Sequence, residues 1–247
     1  MRRKIVKYSL LLLVPSLFLS LLFSALAKEL PANSGSMDGD SDSFTIGKIT
    51  VDKRARSVRF PASVNLASGA LEYLLVTDKG KTHESLFTTT VSPYQLNVAM
   101  LLLGANPTLE VTEFPPEQIT HTTLESAPEL TGDKVDVLVS WKQDGDPQQT
   151  RVEEWIDNRL EQAPMTTGSW IYTGSVIYQK RFLAQEEGSI IALVTDPVAL
   201  INNPRAGHTD DTIWSVREDK VPTVGTSVEI TFQLRSEKTT SPAQSAK

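Results

Sequence analysis

Residues 70–89 read ALEYLLVTDKGKTHESLFTT and carry the strongest structural signal in the chain. Two runs rich in apolar, aromatic and β-branched residues, Ala70–Thr77 and Lys81–Thr89, flank the turn residues Asp78-Lys79-Gly80. Side chains of these types are enriched in strands, and glycine in a short turn accepts a positive φ. The stretch therefore predicts an antiparallel β-hairpin.

Candidate catalytic residues lie on this predicted hairpin. If Val76 pairs with His83, the two-residue period of a strand places Glu72, His83 and Ser85 on one face. These are the acid, base and hydroxyl of a serine hydrolase, in which the base must take the hydroxyl proton before serine attacks. The chain has no Gly-x-Ser-x-Gly elbow, however, and a flat strand does not expose a nucleophile in that way. A hydrogen-bonded polar cluster is therefore the preferred interpretation.

A helix is predicted directly downstream of the hairpin. Ser92 is an N-cap followed by proline at the first helical position, and Gly104 ends the run. Apolar residues repeat at helical spacing and also fill the other faces. The pattern predicts one helix, buried nearly all round, over about residues 93–103.

Short alternating runs between turn residues predict strands in the rest of the chain. They are Phe44–Val51, Arg56–Phe60, Lys134–Trp141, Gln149–Ile156, Trp170–Tyr178, Ser189–Val194 and Ser227–Leu234. Gly174 within one of them indicates a bulge or a close approach of two backbones. The proline-rich residues 105–131 are either a functional flap or contain a short strand such as Leu109–Phe114. The predicted fold class is α+β, predominantly antiparallel β with one buried helix.

The amino terminus predicts export. Four basic residues among the first seven precede the apolar run Tyr8–Phe23 and the small residues Ala25-Leu26-Ala27, a signal-peptide pattern with cleavage after Ala27. The alternative is an uncleaved membrane anchor, because the run is close to the minimum spanning length. We expect a periplasmic or extracellular protein. Its expected parts are a signal peptide (1–27), a disordered acidic linker (28–43), one β-rich domain (44–235) and a disordered tail (236–247).

Composition excludes several function classes. The 247 residues include no cysteine, which rules out disulfides, cysteine nucleophiles, thiolate zinc sites and Cys-ligated iron–sulfur clusters. The net charge is −6, and removal of residues 1–27 leaves 20 basic against 30 acidic groups, a net −10. This charge argues against nucleic-acid binding and favours cationic or neutral partners. Membrane contact is expected only through an uncleaved signal segment.

A second cluster of candidate residues lies near the carboxyl end. His208, Asp210 and Asp211 follow a loop of Asn, Pro and Gly residues. Imidazole and carboxylate groups bind divalent cations, so these three residues are candidate metal ligands, and His83 or Glu84 would complete the set if the fold brings them near. Their spacing matches no known metal signature, and an ordinary polar loop is the alternative.

Several stretches resemble the YdjY domain family in the expected order. They are Val58–Pro61, Gly69–Val76, Lys81–Leu86, the apolar helix ending at Gly104, Glu153–Ile156, Trp170–Ser175 and Asp196–Asn203. The resemblance spans roughly residues 44–234 and implies an extracytoplasmic domain without an assigned role. Some relatives carry ferredoxin-like descriptions, a role that the absence of cysteine excludes here.

Three functional hypotheses follow. The first is a non-enzymatic domain that binds a ligand or partner protein through Lys81, His83, Glu84, Ser85, Ser175, Asn202 and Asn203. The second is a hydrolase or metal-dependent enzyme that uses the His83/Glu84/Ser85 hairpin. It requires His83 and Ser85 to meet Glu72 or Asp210 in one concave pocket. The third is a structural role, for which an apolar surface patch is expected. The four tryptophans are expected in the core, but an exposed one would suit a carbohydrate or peptide.

Overall fold

A computed structural model describes residues 42–107, 110–112 and 130–235. The strands within these ranges are β1 Ser43–Ile46, β2 Ile49–Asp52, β3 Ser57–Val64, β4 Tyr73–Thr77, β5 Ser85–Thr89, β6 Glu110–Thr112, β7 Asp133–Gln143, β8 Asp146–Arg151, β9 Ile156–Asn158, β10 Ala163–Pro164, β11 Trp170–Tyr172, β12 Val176–Tyr178, β13 Arg181–Phe182, β14 Ser189–Ala192, β15 Ile201–Asn202, β16 Trp214–Val216 and β17 Ser227–Leu234. The α-helices are α1 Pro93–Leu102 and α2 Leu183–Glu187, and 3-10 turns span Thr82–Glu84 and Val152–Trp155.

Eight of these strands close into a barrel. Their order is β3-β17-β7-β11-β15-β14-β4-β5, and β5 pairs with β3 through Ser63↔Thr88 and Val64↔Phe87. Only the β14–β15 and β4–β5 pairings are parallel among the eight. The antiparallel prediction therefore holds for most of the sheet, but the sequence did not indicate that the sheet closes.

Alternation along the long strands fills the barrel. In β17 the buried Val228, Ile230 and Phe232 alternate with outward positions such as the exposed Glu229. Phe232 meets Phe60 of β3 edge to face, with ring centroids 5.0 Å apart. The period-two pattern at Ser227–Leu234 predicted this strand with the observed bounds.

The predicted hairpin is wrong, because β4 and β5 are parallel. Tyr73 lies opposite Ser85 and Leu75 opposite Phe87. After the turn at Asp78, residues 81–84 return to the start of β4, where β5 begins, and β14 pairs along the other edge of β4. All five residues of β4 are buried. A strand covered on both faces carries no alternation from which direction or pairing can be inferred.

The predicted helix is confirmed as α1, but its burial was overestimated. The Ser92 hydroxyl accepts a hydrogen bond from the Gln95 amide, as expected for an N-cap. Leu96 and its neighbours pack into the core, whereas Leu101 and Leu102 are 45% and 54% exposed. A helix on the surface of a barrel buries one side only. The short helix α2 was not predicted.

Two predicted strands are interrupted. Trp170–Tyr178 divides into β11 and β12, with Gly174 at φ +81° and Ser175 at φ +69° between them. A Cβ at Gly174 would collide with the Pro107 ring, which confirms the predicted close approach. Gln149–Ile156 divides where β8 gives way to a 3-10 turn. In the part of the chain described, no helix has the length and apolar character needed to cross a bilayer.

Candidate functional site

The predicted acid–base–hydroxyl group does not assemble. The Ser85 hydroxyl is buried and donates to the Lys81 carbonyl at 2.6 Å. The His83 side chain is 78% exposed, and its Nε2 lies 3.4 Å from Glu84 Oε2. The prediction that the three residues share one face assumed an antiparallel register, but β4 and β5 pair in parallel. The described geometry gives Ser85 no activating base.

Carboxylates from the two candidate regions nevertheless lie close together. We call Glu72, Glu84 and Asp211 the acidic surface. Burial raises the pKa of the half-buried Glu72, and the nearby charges of Glu84 and Asp211 raise it further, against the opposing effect of Lys81. The segment around β4 and the loop before β16 each held candidate residues in the sequence, and both contribute to this one surface.

Lys81 and Tyr73 link the segment around β4 to the loop between β14 and β15. Lys81 Nζ donates to the Tyr73 hydroxyl at 2.7 Å and lies 4.8 Å from the ring centroid. The Tyr73 hydroxyl donates to Asp196 Oδ2 at 2.9 Å. Burial, with the Asp196 charge, raises the pKa of Tyr73, so this phenol remains a donor at neutral pH.

Three of the predicted binding residues form hydrogen bonds with the backbone inside the protein. Asn202 holds the Asp196 backbone through both ends of its amide, at 2.9 and 3.0 Å. Asn203 Nδ2 donates to the Leu193 carbonyl at 3.1 Å. Ser175 Oγ donates to the Val198 carbonyl at 2.5 Å and accepts from the Ala184 amide. All three residues are buried, and their polar atoms position the backbone.

The candidate metal ligands are engaged in local contacts. His208 Nδ1 lies 2.5 Å from Thr195 Oγ1, and burial lowers the pKa of His208. Asp210 Oδ1 accepts from the Thr212 hydroxyl and amide, contacts that lower the pKa of Asp210. No group of three or more His, Asp or Glu side chains in the described ranges has a geometry that would hold a metal ion.

A buried cluster of charges was missed by the sequence analysis. We call Asp136, Arg151, Glu153 and Arg205 the buried ion network. The Glu153 side chain has no exposed area, and its Oε1 lies 2.7 Å from Arg205 Nη2 and 3.5 Å from Arg151 Nη2. The Trp170 indole and the Gly168 amide also donate to this oxygen, at 3.2 and 3.4 Å.

The other members of the network also make several hydrogen bonds. Arg205 donates to the carbonyls of Thr166 and Gly168, and its guanidinium stacks 4.9 Å from the Trp170 ring. Burial alone would raise the pKa of Asp136, but hydrogen bonds from Arg151, Ser169 and Arg235 lower it to about 2. The members of the network are spread over the sequence from Asp136 to Arg205, so no short sequence motif indicates the cluster.

The tryptophans resolve into two groups. Trp155, Trp170 and Trp214 are fully buried, as expected for core residues, whereas Trp141 is half-buried and packs against Trp155 with centroids 4.9 Å apart. An open groove of about 790 Å³ lies beside Trp141 and is lined by residues of β7, β8 and the start of β17 with Thr226 before it.

Fold and site together define a closed-barrel domain with an acidic surface and a separate buried ion network. A family model described as the YdjY domain matches residues 49–233, so the chain belongs to the YdjY domain family. No curated protein and no solved structure matches the chain. Membership confirms the resemblance seen in the sequence and assigns no reaction.

Proposed function

We propose that this YdjY domain is exported and that it binds, without catalysis, a cationic group of a ligand or partner protein at the acidic surface. The observation that carries the proposal is the grouping of three carboxylates: the Glu72 amide donates to the Glu84 carbonyl at 3.0 Å, and the charges of Glu84 and Asp211 both act on the half-buried Glu72 side chain. An ammonium or guanidinium group placed among them would relieve their mutual repulsion and favour their charged forms.

Charge outside the site supports the same kind of partner. The whole chain carries −6, and the expected mature chain −10. A net negative field attracts cations and increases their rate of encounter, with an effect that salt weakens. Lys81 already donates a hydrogen bond to Tyr73. Its charge lowers the pKa of Glu72 but does not cancel the effects that raise it, so the acidic surface can bind a further cation.

The local geometry supports binding over catalysis. A serine hydrolase requires the base within hydrogen-bond reach of the nucleophile. Here the Ser85 hydroxyl donates to a backbone carbonyl, and His83 lies against Glu84 on the surface. A cation-binding role uses the carboxylates in the positions where they lie and requires no rearrangement of Ser85.

The binding proposal is tested by NMR titration of the full chain with spermidine and with a short arginine-rich peptide. We expect saturable shifts at residues 72, 84 and 211 that weaken at high salt. The double variant E72Q/E84Q should lose most of the affinity, whereas E229Q, which removes an exposed carboxylate of β17, should retain it. Equal binding by both variants would rule out the acidic surface.

Export is tested separately. We expect the full chain, produced in a bacterial host, to be recovered outside the cytoplasm with Lys28 as its first residue, by mass spectrometry of the intact protein. Recovery in the cytoplasm with Met1 retained would contradict the export proposal and leave the binding test unaffected.

A further inference from the structure

The buried ion network contains two polar atoms without a partner. Glu153 Oε2 and Arg151 Nε are buried and make no hydrogen bond in the described part of the chain. The other oxygen of Glu153 contacts four N–H donors, from Arg151, Gly168, Trp170 and Arg205. One half of the carboxylate is therefore saturated, and the other half lacks a donor.

The two atoms belong to neighbouring side chains, whose guanidinium and carboxylate groups are in contact through their other atoms. Arg151 Nη2 lies 3.5 Å from Glu153 Oε1, at the limit of a hydrogen bond, and also donates to Asp136 Oδ1 and to the Gly168 carbonyl, each at 2.9 Å. A bidentate guanidinium–carboxylate pair would use two parallel N–H···O contacts. In this network Asp136 and Gly168 hold Arg151 back, and the second contact is not made.

The chemistry of the surroundings selects the class of group that satisfies both atoms. A buried carboxylate oxygen without a donor is costly, and so is a buried N–H without an acceptor. A cation would be repelled by the guanidinium groups of Arg151 and Arg205, and an anion by Glu153 itself. A neutral hydroxyl oxygen donates one hydrogen and accepts another, as the two atoms require.

We propose that Glu153 Oε2 and Arg151 Nε form a binding site for one hydroxyl group, which donates to the carboxylate and accepts from the guanidinium. An enclosed water molecule and the hydroxyl of a neutral sugar both supply this chemistry. Glu153 is the inner wall of the site, with no exposed area, and Arg151 the outer wall, with its side chain 24% exposed. The site is separate from the acidic surface and does not depend on the function proposed for that surface.

A high-resolution crystal structure of the full chain tests the site directly. We expect one oxygen within hydrogen-bond distance of both Glu153 Oε2 and Arg151 Nε. A direct hydrogen bond between these two atoms, with nothing between them, would overturn the proposal.

NMR of the Arg151 Nε–H group tests the site in solution and distinguishes the two sources. We expect its hydrogen exchange to be roughly tenfold or more slower than that of Arg59, an exposed arginine of β3. A saturable shift on addition of glucose identifies a sugar hydroxyl, whereas a cross-peak to water that glucose does not affect identifies enclosed water. Both results support the hydroxyl site, and exchange as fast as that of Arg59 contradicts it.

The variant E153Q provides a matched perturbation. Its amide keeps the size of the side chain but replaces one acceptor with a donor, so we expect faster exchange at Arg151 Nε–H. The variant E229Q makes the same chemical change on the exposed face of β17 and should leave this exchange rate unaltered. Acceleration by both variants, or by neither, would count against the assignment.

Discussion

The acidic surface and the buried ion network contain the same kind of group in opposite surroundings. Glu153 has no exposed area, yet two arginines and two further N–H donors contact one of its oxygens. Glu72 is only partly buried, yet burial raises its pKa, and the nearby charges of Glu84 and Asp211 raise it further. The two carboxylates therefore differ in the sign of the charges beside them, because guanidinium groups contact Glu153 whereas carboxylates lie near Glu72.

The largest effect on stability is expected from breaking the buried ion pair between Arg205 and Glu153. Arg205→Ala would leave the Glu153 carboxylate buried without its shortest contact, and we expect a loss of about 3–5 kcal/mol in the free energy of unfolding. Urea denaturation measures it. Arg59→Ala, at an exposed position of β3, is the control and should change stability by less than about 0.5 kcal/mol. A similarly small loss for Arg205→Ala would show that the network contributes little to stability.

The next effect is the acid sensitivity of Asp136. Its pKa of about 2 in the folded chain lies below the ordinary value of 3.8. The carboxylate therefore stabilises the fold above pH 3.8, and this contribution is lost as pH falls towards 2. Asp136→Asn should lower stability by about 2 kcal/mol at pH 7. Unfolding measured from pH 7 to pH 2 should show the two proteins converging at the acid end, and a constant difference would contradict the assignment.

A smaller effect of opposite sign is expected at Glu72. Because its pKa in the folded chain is raised above 4.5, the folded state favours the protonated form. Its contribution to stability is present below pH 4.5 and is lost as pH rises through the raised value. Glu72→Gln should therefore stabilise the protein at pH 7, by less than about 1 kcal/mol. Thermal unfolding of both proteins at pH 4 and pH 7 tests the sign, and destabilisation at pH 7 would remove the contrast with Asp136.

The smallest effect is expected at His83. Its side chain is largely exposed and contacts only Glu84 among the ion pairs of the described residues. His83→Ala should change the free energy of unfolding by less than about 0.5 kcal/mol. A loss above about 1 kcal/mol in urea denaturation would indicate a structural role that its exposure does not suggest.

Prediction from sequence succeeded where the signal was local. Alternation gave β17 its observed bounds, Ser92 and the proline after it marked the start of α1, and Gly174 marked a close approach to Pro107. Prediction from sequence failed at β4, because five consecutive buried residues do not indicate whether the strand pairs in parallel or antiparallel. The sequence analysis named both halves of the acidic surface and allowed for Glu84 to lie near the His208–Asp211 loop, but it could not show that the fold brings them together.

The amino-acid order was sufficient for the family, the β-rich class, the one long helix of the described chain and the exclusion of cysteine chemistry. These properties depend on composition and on patterns within about ten residues. Closure of the barrel, the parallel β4–β5 pair and the buried ion network depend on contacts between distant segments, as between Arg205 and Glu153. A charged residue has the same appearance in the sequence whether it is solvated or buried, because its environment is set by whichever segments fold against it.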